Sequence, residues 1–234
     1  MSALIKQNRV LFLHIPRTGG TWVKKAINLL EIPVTNYNVR FQIYIAKKHG
    51  LLAHIRRPFR ARIDSTFCFV RHPITFYESV WKYIITTDYN GKRYIKLSNK
   101  WRWHPLTKAV EQYKQLANDK RNKEIDFNDW VTLMLCNEPM WCTRLMEQYI
   151  GPEGGEFCKF IGRTETLSND FVEALNFFRI KTNVDLSVLN TLKKQNTREG
   201  VIRWDEDVKS FVLDTERLFI RRFYDSNKDK RIYV

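Results

Sequence analysis

The sequence predicts one α/β domain over residues 1–234, with a mostly parallel central sheet flanked by helices. Short buried apolar runs alternate along the chain with stripes of apolar residues at helical spacing. The chain shows no internal repeat, flexible linker or change of composition that would mark a domain boundary. Its 234 residues, 44% of them hydrophobic, are enough to build one large core.

The first predicted unit is a strand, a glycine turn and a helix. The apolar run over residues 10–15 predicts a buried strand. The helix that follows is predicted from the spacing i, i+3, i+4, i+7 of Val23, Ala26, Ile27 and Leu30. Apolar and polar residues then alternate over residues 41–45, which indicates a second strand.

The strand-turn-helix pattern returns in the middle of the sequence. Residues 66–70 are apolar on both faces, as in a central parallel strand. Pro73 suits the first position of a helix. Ligands of parallel sheets bind at the carboxyl ends of the strands, so we expect the segments after residues 15 and 70 to carry the chemistry.

The rest of the chain predicts a helical insertion and one more strand with its helices. Helical stripes cover residues 105–117 and 127–149. Residues 157–161 predict a strand, and Ser168 suits the N-cap of the next helix. The acidic run 205–207 favours the N-terminus of a final helix.

Composition restricts the partners and the compartment. The net charge of +15 predicts attraction to anions such as nucleic acids, phosphorylated cofactors, sulfated glycans or acidic membranes. The four cysteines form no CxxC pair, which disfavours a zinc site or a disulfide framework. The N-terminal apolar run is too short for a signal peptide or a membrane span. We therefore expect a soluble, cytoplasmic protein without a membrane span.

The first glycine turn, residues 16–22, has the features of an anion cradle. The adjacent Gly19 and Gly20 let successive backbone N–H groups converge at a helix N-terminus. Side-chain donors are supplied by Arg17, Thr18 and Thr21. The nucleotide-binding pattern GxxxxGK(S/T) is absent, which disfavours a kinase or an ATPase. The turn predicts a phosphate or sulfate site, the alternative being a turn needed only for tight packing.

A second anion-binding segment follows the central strand. Arg71 ends this strand, and Ser79 lies eight residues later, about two helical turns along. The pair is placed to bind a second phosphate.

Together these two motifs resemble the sulfotransferases that use 3′-phosphoadenosine 5′-phosphosulfate (PAPS). The resemblance is detailed over residues 10–30 and 66–84, and the Pro-basic-Thr-Gly-Gly-Thr form is typical of the carbohydrate branch. It implies a P-loop-NTPase-like sulfotransferase fold with a helical insertion. It also implies PAPS as sulfuryl donor, 3′-phosphoadenosine 5′-phosphate (PAP) as product, and no metal. Arg17 stands where many members carry lysine.

The resemblance assigns roles to individual residues. Gly19, Gly20 and Thr21 would bind the 5′-phosphosulfate, and Trp22 would stack on adenine. The residues implied at the 3′-phosphate are Arg71, Ser79, Arg198 and Gly200. Thr164 stands where some relatives place an adenine-contacting tyrosine.

The catalytic residues implied are a leaving-group donor and a base. Arg17 would stabilise the charge that develops on the leaving phosphate. A neutral histidine is the natural base. His49 is the candidate because the stretch Lys48-His49 resembles the one that carries the base in the family, and His54 is the alternate.

The sequence thus predicts sulfuryl transfer from PAPS to a hydroxyl, less readily an amine, of a small-molecule or glycan acceptor, with a carbohydrate expected. Nucleic acid is not the expected partner. A basic module that binds nucleic acid or polyanionic glycans without catalysis is the alternative. A nucleotide-binding relative that has lost transfer would share every motif.

Overall fold

The computed structural model describes residues 2–37, 65–88, 106–119, 125–151, 158–192, 202–225 and 232–233. The chain divides into two compact units. The first comprises Met1–Arg71, Met146–Thr197 and Asn227–Val234, and the second comprises His72–Leu145 and Arg198–Ser226. The first unit holds the sheet, and the second is built from helices.

The described residues of the first unit form a sheet of six strands in the order β3-β1-β2-β4-β5-β6. The strands are β1 (Ser2–Ile5), β2 (Val10–Phe12), β3 (Val34–Tyr37), β4 (Ser65–Val70), β5 (Phe160–Arg163) and β6 (Ile232–Tyr233). Strand β4 pairs in parallel with both β2 and β5. The outer pairs, β1 with β2 and β3, and β5 with β6, are antiparallel. The predicted α/β class and the parallel centre of the sheet are confirmed.

Eight α-helices lie in the described residues. They are α1 (Gly20–Leu29), α2 (Pro73–Asp88), α3 (Thr107–Asp119), α4 (Phe127–Asn137), α5 (Trp141–Ile150), α6 (Leu167–Phe177), α7 (Glu206–Thr215) and α8 (Arg217–Phe223). None of these described helices is long and apolar enough to cross a membrane.

The core of the first unit lies between the sheet and two helices, α1 and α6. Phe12, Phe67 and Phe69 project from β2 and β4 and are at most 1% exposed. They share one hydrophobic cluster with Ala26 of α1 and Phe171 of α6. Burying each such aromatic ring stabilises the fold by about 1.5–3 kcal/mol, so the strands and helices of this layer hold one another in place.

Several element boundaries differ from the predicted ones. Strand β2 ends at Phe12 rather than at residue 15, because the chain leaves the ladder there to form the glycine turn. Strand β5 covers residues 160–163 rather than 157–161. Helix α6 has Thr166 rather than Ser168 at its N-cap. The strand predicted over 41–45 lies outside the described residues.

The second unit is organised around a buried carboxylate, Glu216, at the junction of α7 and α8. Its Oε1 accepts hydrogen bonds from the Tyr77 hydroxyl and the Cys142 N–H, each at 3.1 Å. Its Oε2 accepts from the Thr143 N–H at 3.0 Å and from the Thr143 hydroxyl at 2.5 Å. Burial raises the pKa of Glu216, and these donors oppose the rise. The carboxylate therefore joins α2, the first turn of α5 and the α7–α8 junction.

Candidate active site

Three segments of the first unit meet at one edge of the sheet. The glycine turn follows β2, Arg71 follows β4, and Thr164 follows β5. These three strands are neighbours and run in parallel, so their carboxyl ends lie at the same edge. This is the edge at which open α/β sheets bind their ligands.

The glycine turn has two residues in the left-handed region. Arg17 has φ 68° and Gly19 has φ 83°. A left-handed conformation costs a non-glycine residue about 1–2 kcal/mol, so Arg17 is held in it by its surroundings. At Gly19 a Cβ would also collide with the side chain of Leu167. Backbone turns of this kind aim successive N–H groups at one point, as an anion site requires.

The structure corrects the predicted role of the Thr18 side chain. Thr18 is 2% exposed, and its hydroxyl donates a 3.0 Å hydrogen bond to the Ile15 carbonyl. The side chain therefore closes the turn and does not offer a donor to a ligand. Thr21, by contrast, is exposed at the start of α1.

Arg71 connects the two motifs that the sequence singled out. Its Nη1 donates a 3.2 Å hydrogen bond to the carbonyl oxygen of Arg17. The guanidinium is a planar fork with five N–H donors, a shape that suits phosphate and carboxylate groups. The contact places Arg71 beside the glycine turn at the sheet edge.

Thr164 is hydrogen-bonded to the end of β4. Its N–H and its hydroxyl both donate to the Val70 carbonyl, at 2.8 and 2.9 Å. Val70 directly precedes Arg71 in the chain, so these bonds fix the backbone from which the Arg71 side chain projects. The Thr164 hydroxyl thus donates its hydrogen to a backbone carbonyl. In some relatives, a tyrosine at this position contacts adenine.

Trp22 is held by contacts with the core of the first unit. The residue is 6% exposed and belongs to the hydrophobic core, with its ring edge-to-face on Phe171 at 5.8 Å. Its indole N–H donates to the Leu192 carbonyl at 3.5 Å. Trp22 thus lies largely in the core of the first unit, and its stacking on adenine stays a prediction.

Of the remaining predicted residues, Ser79 lies in the second unit and the others lie outside the described residues. Ser79 is buried in the second turn of α2, which begins at Pro73 as predicted. Its contact with a phosphate stays a prediction. His49, His54, Arg198 and Gly200 lie outside the described residues, so the base and the second part of the 3′-phosphate site also stay predictions.

Sequence reasoning missed His14, which it treated as part of a strand. The residue lies beyond the end of β2 and is partly exposed, although Leu13 and Ile15 on either side are buried. Its imidazole lies against Gly20, because a Cβ at Gly20 would overlap the Cδ2 and Nε2 atoms of His14. In the sequence, His14 is distinguished only as a polar residue within an apolar run.

The arrangement is suited to an anionic ligand with two charged groups. Backbone amides of the turn and the N-terminus of α1 suit one group, and Arg71 suits another. Among the described residues no cluster of three or more His, Cys, Asp or Glu side chains could hold a metal ion.

Comparison with known proteins identifies the family of the chain. The family model described as the sulfotransferase family matches residues 3–228, which is nearly the whole chain. No curated protein and no solved structure matches the sequence.

Proposed function

The chain belongs to the sulfotransferase family, whose enzymes depend on PAPS, and from this premise we propose that it transfers the sulfuryl group of PAPS to a carbohydrate hydroxyl. The family supports the reaction class and the donor. The Pro-basic-Thr-Gly-Gly-Thr form of residues 16–21 supports the acceptor class. The net charge of +15 favours an acceptor that is itself anionic.

The observation that carries this proposal is the hydrogen bond between Arg71 and the Arg17 carbonyl. PAPS has a phosphosulfate at the 5′ position and a phosphate at the 3′ position of one ribose, so its site needs two anion-binding segments close together. A general anion-binding surface would not need the second segment attached to the first.

The residues of the turn fit the phosphosulfate. Side chains at Gly19 and Gly20 would collide with Leu167 and His14, so both positions require glycine for the turn to adopt this shape. The turn amides and the α1 N-terminus would hold the 5′ group, and Arg71 with Ser79, Arg198 and Gly200 would hold the 3′-phosphate. PAPS supplies, when bound, an activated sulfuryl group whose leaving group is a phosphate.

Two residues are proposed to act on the reaction. Arg17 would stabilise the negative charge that develops on the leaving oxygen, because its guanidinium stays protonated at all working pH values. His49, with His54 as the alternate, would accept the proton of the acceptor hydroxyl.

Product analysis tests this function. The protein is incubated with PAPS and separate acceptors: a neutral glycan, an anionic glycan, a phenol and an amine. We expect PAP release to exceed the acceptor-free rate with a glycan, and mass spectrometry to find the sulfate on that glycan. Transfer to the phenol or the amine alone would contradict the carbohydrate acceptor and would identify a different class of acceptor. PAP binding without any transfer would favour a relative that has lost catalysis, and no PAP binding would favour a polyanion-binding module.

A further inference from the structure

We propose that His14 is a further ligand-binding residue of this site, and that its imidazole contacts the 5′-phosphate end of the nucleotide. The proposal rests on the proposed function, because it names a contact to the donor.

The position of His14 is fixed from two directions. Its backbone N–H donates a 3.0 Å hydrogen bond to the hydroxyl of Ser2, which is fully buried in strand β1, between β3 and β2. Its ring lies against the ring of Phe12, with centroids 6.2 Å apart and an interplanar angle of 27°. Phe12 is itself 1% exposed in the core. The imidazole is therefore held by rigid elements of the sheet, as a ligand-binding group should be.

The imidazole occupies the space that a side chain at Gly20 would take. Gly20 is the first residue of α1, and the Cα–Cβ bonds of a helix tilt towards its N-terminus. A group in the place of that missing side chain therefore lies beside the open end of the helix. The nearest imidazole atoms are Cδ2 and Nε2, so the polar edge of the ring faces this end.

The chemistry of the ring suits an anion at this place. Nε2 carries a hydrogen in the imidazolium and in one of the two neutral tautomers, and it then donates to an oxygen. The unpaired N–H groups at the start of a helix attract the same anion. His14 would thus add a side-chain donor to the backbone amides of the turn. The Thr18 hydroxyl, in contrast, donates to the Ile15 carbonyl.

Binding measurements with two nucleotides test the contact. Calorimetry compares PAP with adenosine 3′-phosphate, which lacks the 5′ group, for the wild type, His14→Leu and His14→Gln. A hydrogen bond to a charged group is worth roughly 10- to 100-fold in affinity. We expect His14→Leu to weaken PAP binding by about this factor and to leave adenosine 3′-phosphate unchanged. His14→Gln, whose amide keeps a donor, should retain most of the affinity.

The control ligand separates the two proposals. If the wild type binds both nucleotides equally, or neither, the proposed function fails before His14 is considered. If the wild type prefers PAP and His14→Leu keeps that preference in full, the role of His14 is overturned and the proposed function stands. Equal losses for both nucleotides in His14→Leu would indicate a structural effect and would also overturn the contact.

A stability measurement tests the geometry without a ligand. Gly20→Ala should lower the melting temperature by about 2–10 °C, because the methyl group collides with the imidazole. In a His14→Ala background the same change should be neutral or stabilising, since alanine is the better helix former. An equal fall in melting temperature in both backgrounds would show that Gly20 and the imidazole do not touch, and would overturn the proposed position of the ring.

Discussion

Replacing Arg71 with alanine is expected to abolish the preference of the protein for PAP over AMP. Arg71 is the proposed partner of the 3′-phosphate, which AMP lacks. Loss of a charge-assisted hydrogen bond weakens binding roughly 10- to 100-fold, and a two-bond fork gives the larger value. Calorimetric titration of Arg71→Ala with both nucleotides checks the result. Affinity for PAP should fall towards that for AMP.

One further variant separates charge from geometry at this position, and a second variant elsewhere in the chain is a control. Arg71→Lys keeps the positive charge, but a single ammonium cannot bond the Arg17 carbonyl and a phosphate in the same fork arrangement. We expect it to show an intermediate preference. Arg217→Ala is the matched control, because it removes an arginine whose side chain is 74% exposed in the second unit. An Arg71→Ala variant that still prefers PAP would remove Arg71 from the 3′-phosphate site.

Replacing Arg17 with alanine is expected to lower the rate constant of sulfuryl transfer by about a hundredfold or more, with PAP still bound. This is the order of effect for loss of one preorganised donor at developing charge. Single-turnover measurement of transfer, with PAP affinity measured alongside, checks the result. Arg17→Lys then shows whether charge alone is sufficient.

The backbone of Arg17 offers a control for this experiment. Because Arg17 has φ 68°, Arg17→Gly removes the same side chain and also relieves the strained conformation. We expect Arg17→Gly to melt at a higher temperature than Arg17→Ala while both show the same loss of rate. Retained turnover in either variant would exclude the side chain from the mechanism. A rate recovered only in the glycine variant would assign the loss to the backbone.

The parts of the fold that the sequence predicted are those encoded by contiguous residues. The run of apolar residues before Pro16 and the stretch before Arg71 each form a strand that leads into a site segment. The parallel pairing of β4 with β2 and with β5 follows from the alternation of strands and helices. Strands β1 and β3 were not predicted, because each has only four residues and gives too short a pattern.

The parts of the fold and of the site that were not predicted depend on contacts between distant residues. No local pattern shows that the carboxylate of Glu216 lies at the N-terminus of α5, 73 residues from Thr143. The side-chain directions of Thr18, Trp22 and His14 also depend on which neighbours fill the space around them. Sequence spacing places such residues at the sheet edge, but only packing decides whether a side chain faces the core or the ligand.

Two anion-binding segments, which follow the neighbouring strands β2 and β4, are proposed to bind one nucleotide. The most direct test is the stabilisation of the wild-type protein by PAP and by AMP at equal concentration, measured as the shift in melting temperature. A ligand stabilises the folded state in proportion to the logarithm of its concentration over its dissociation constant. Because PAP alone carries the 3′-phosphate, the account predicts a clearly larger shift with PAP, and equal shifts with the two nucleotides would contradict it.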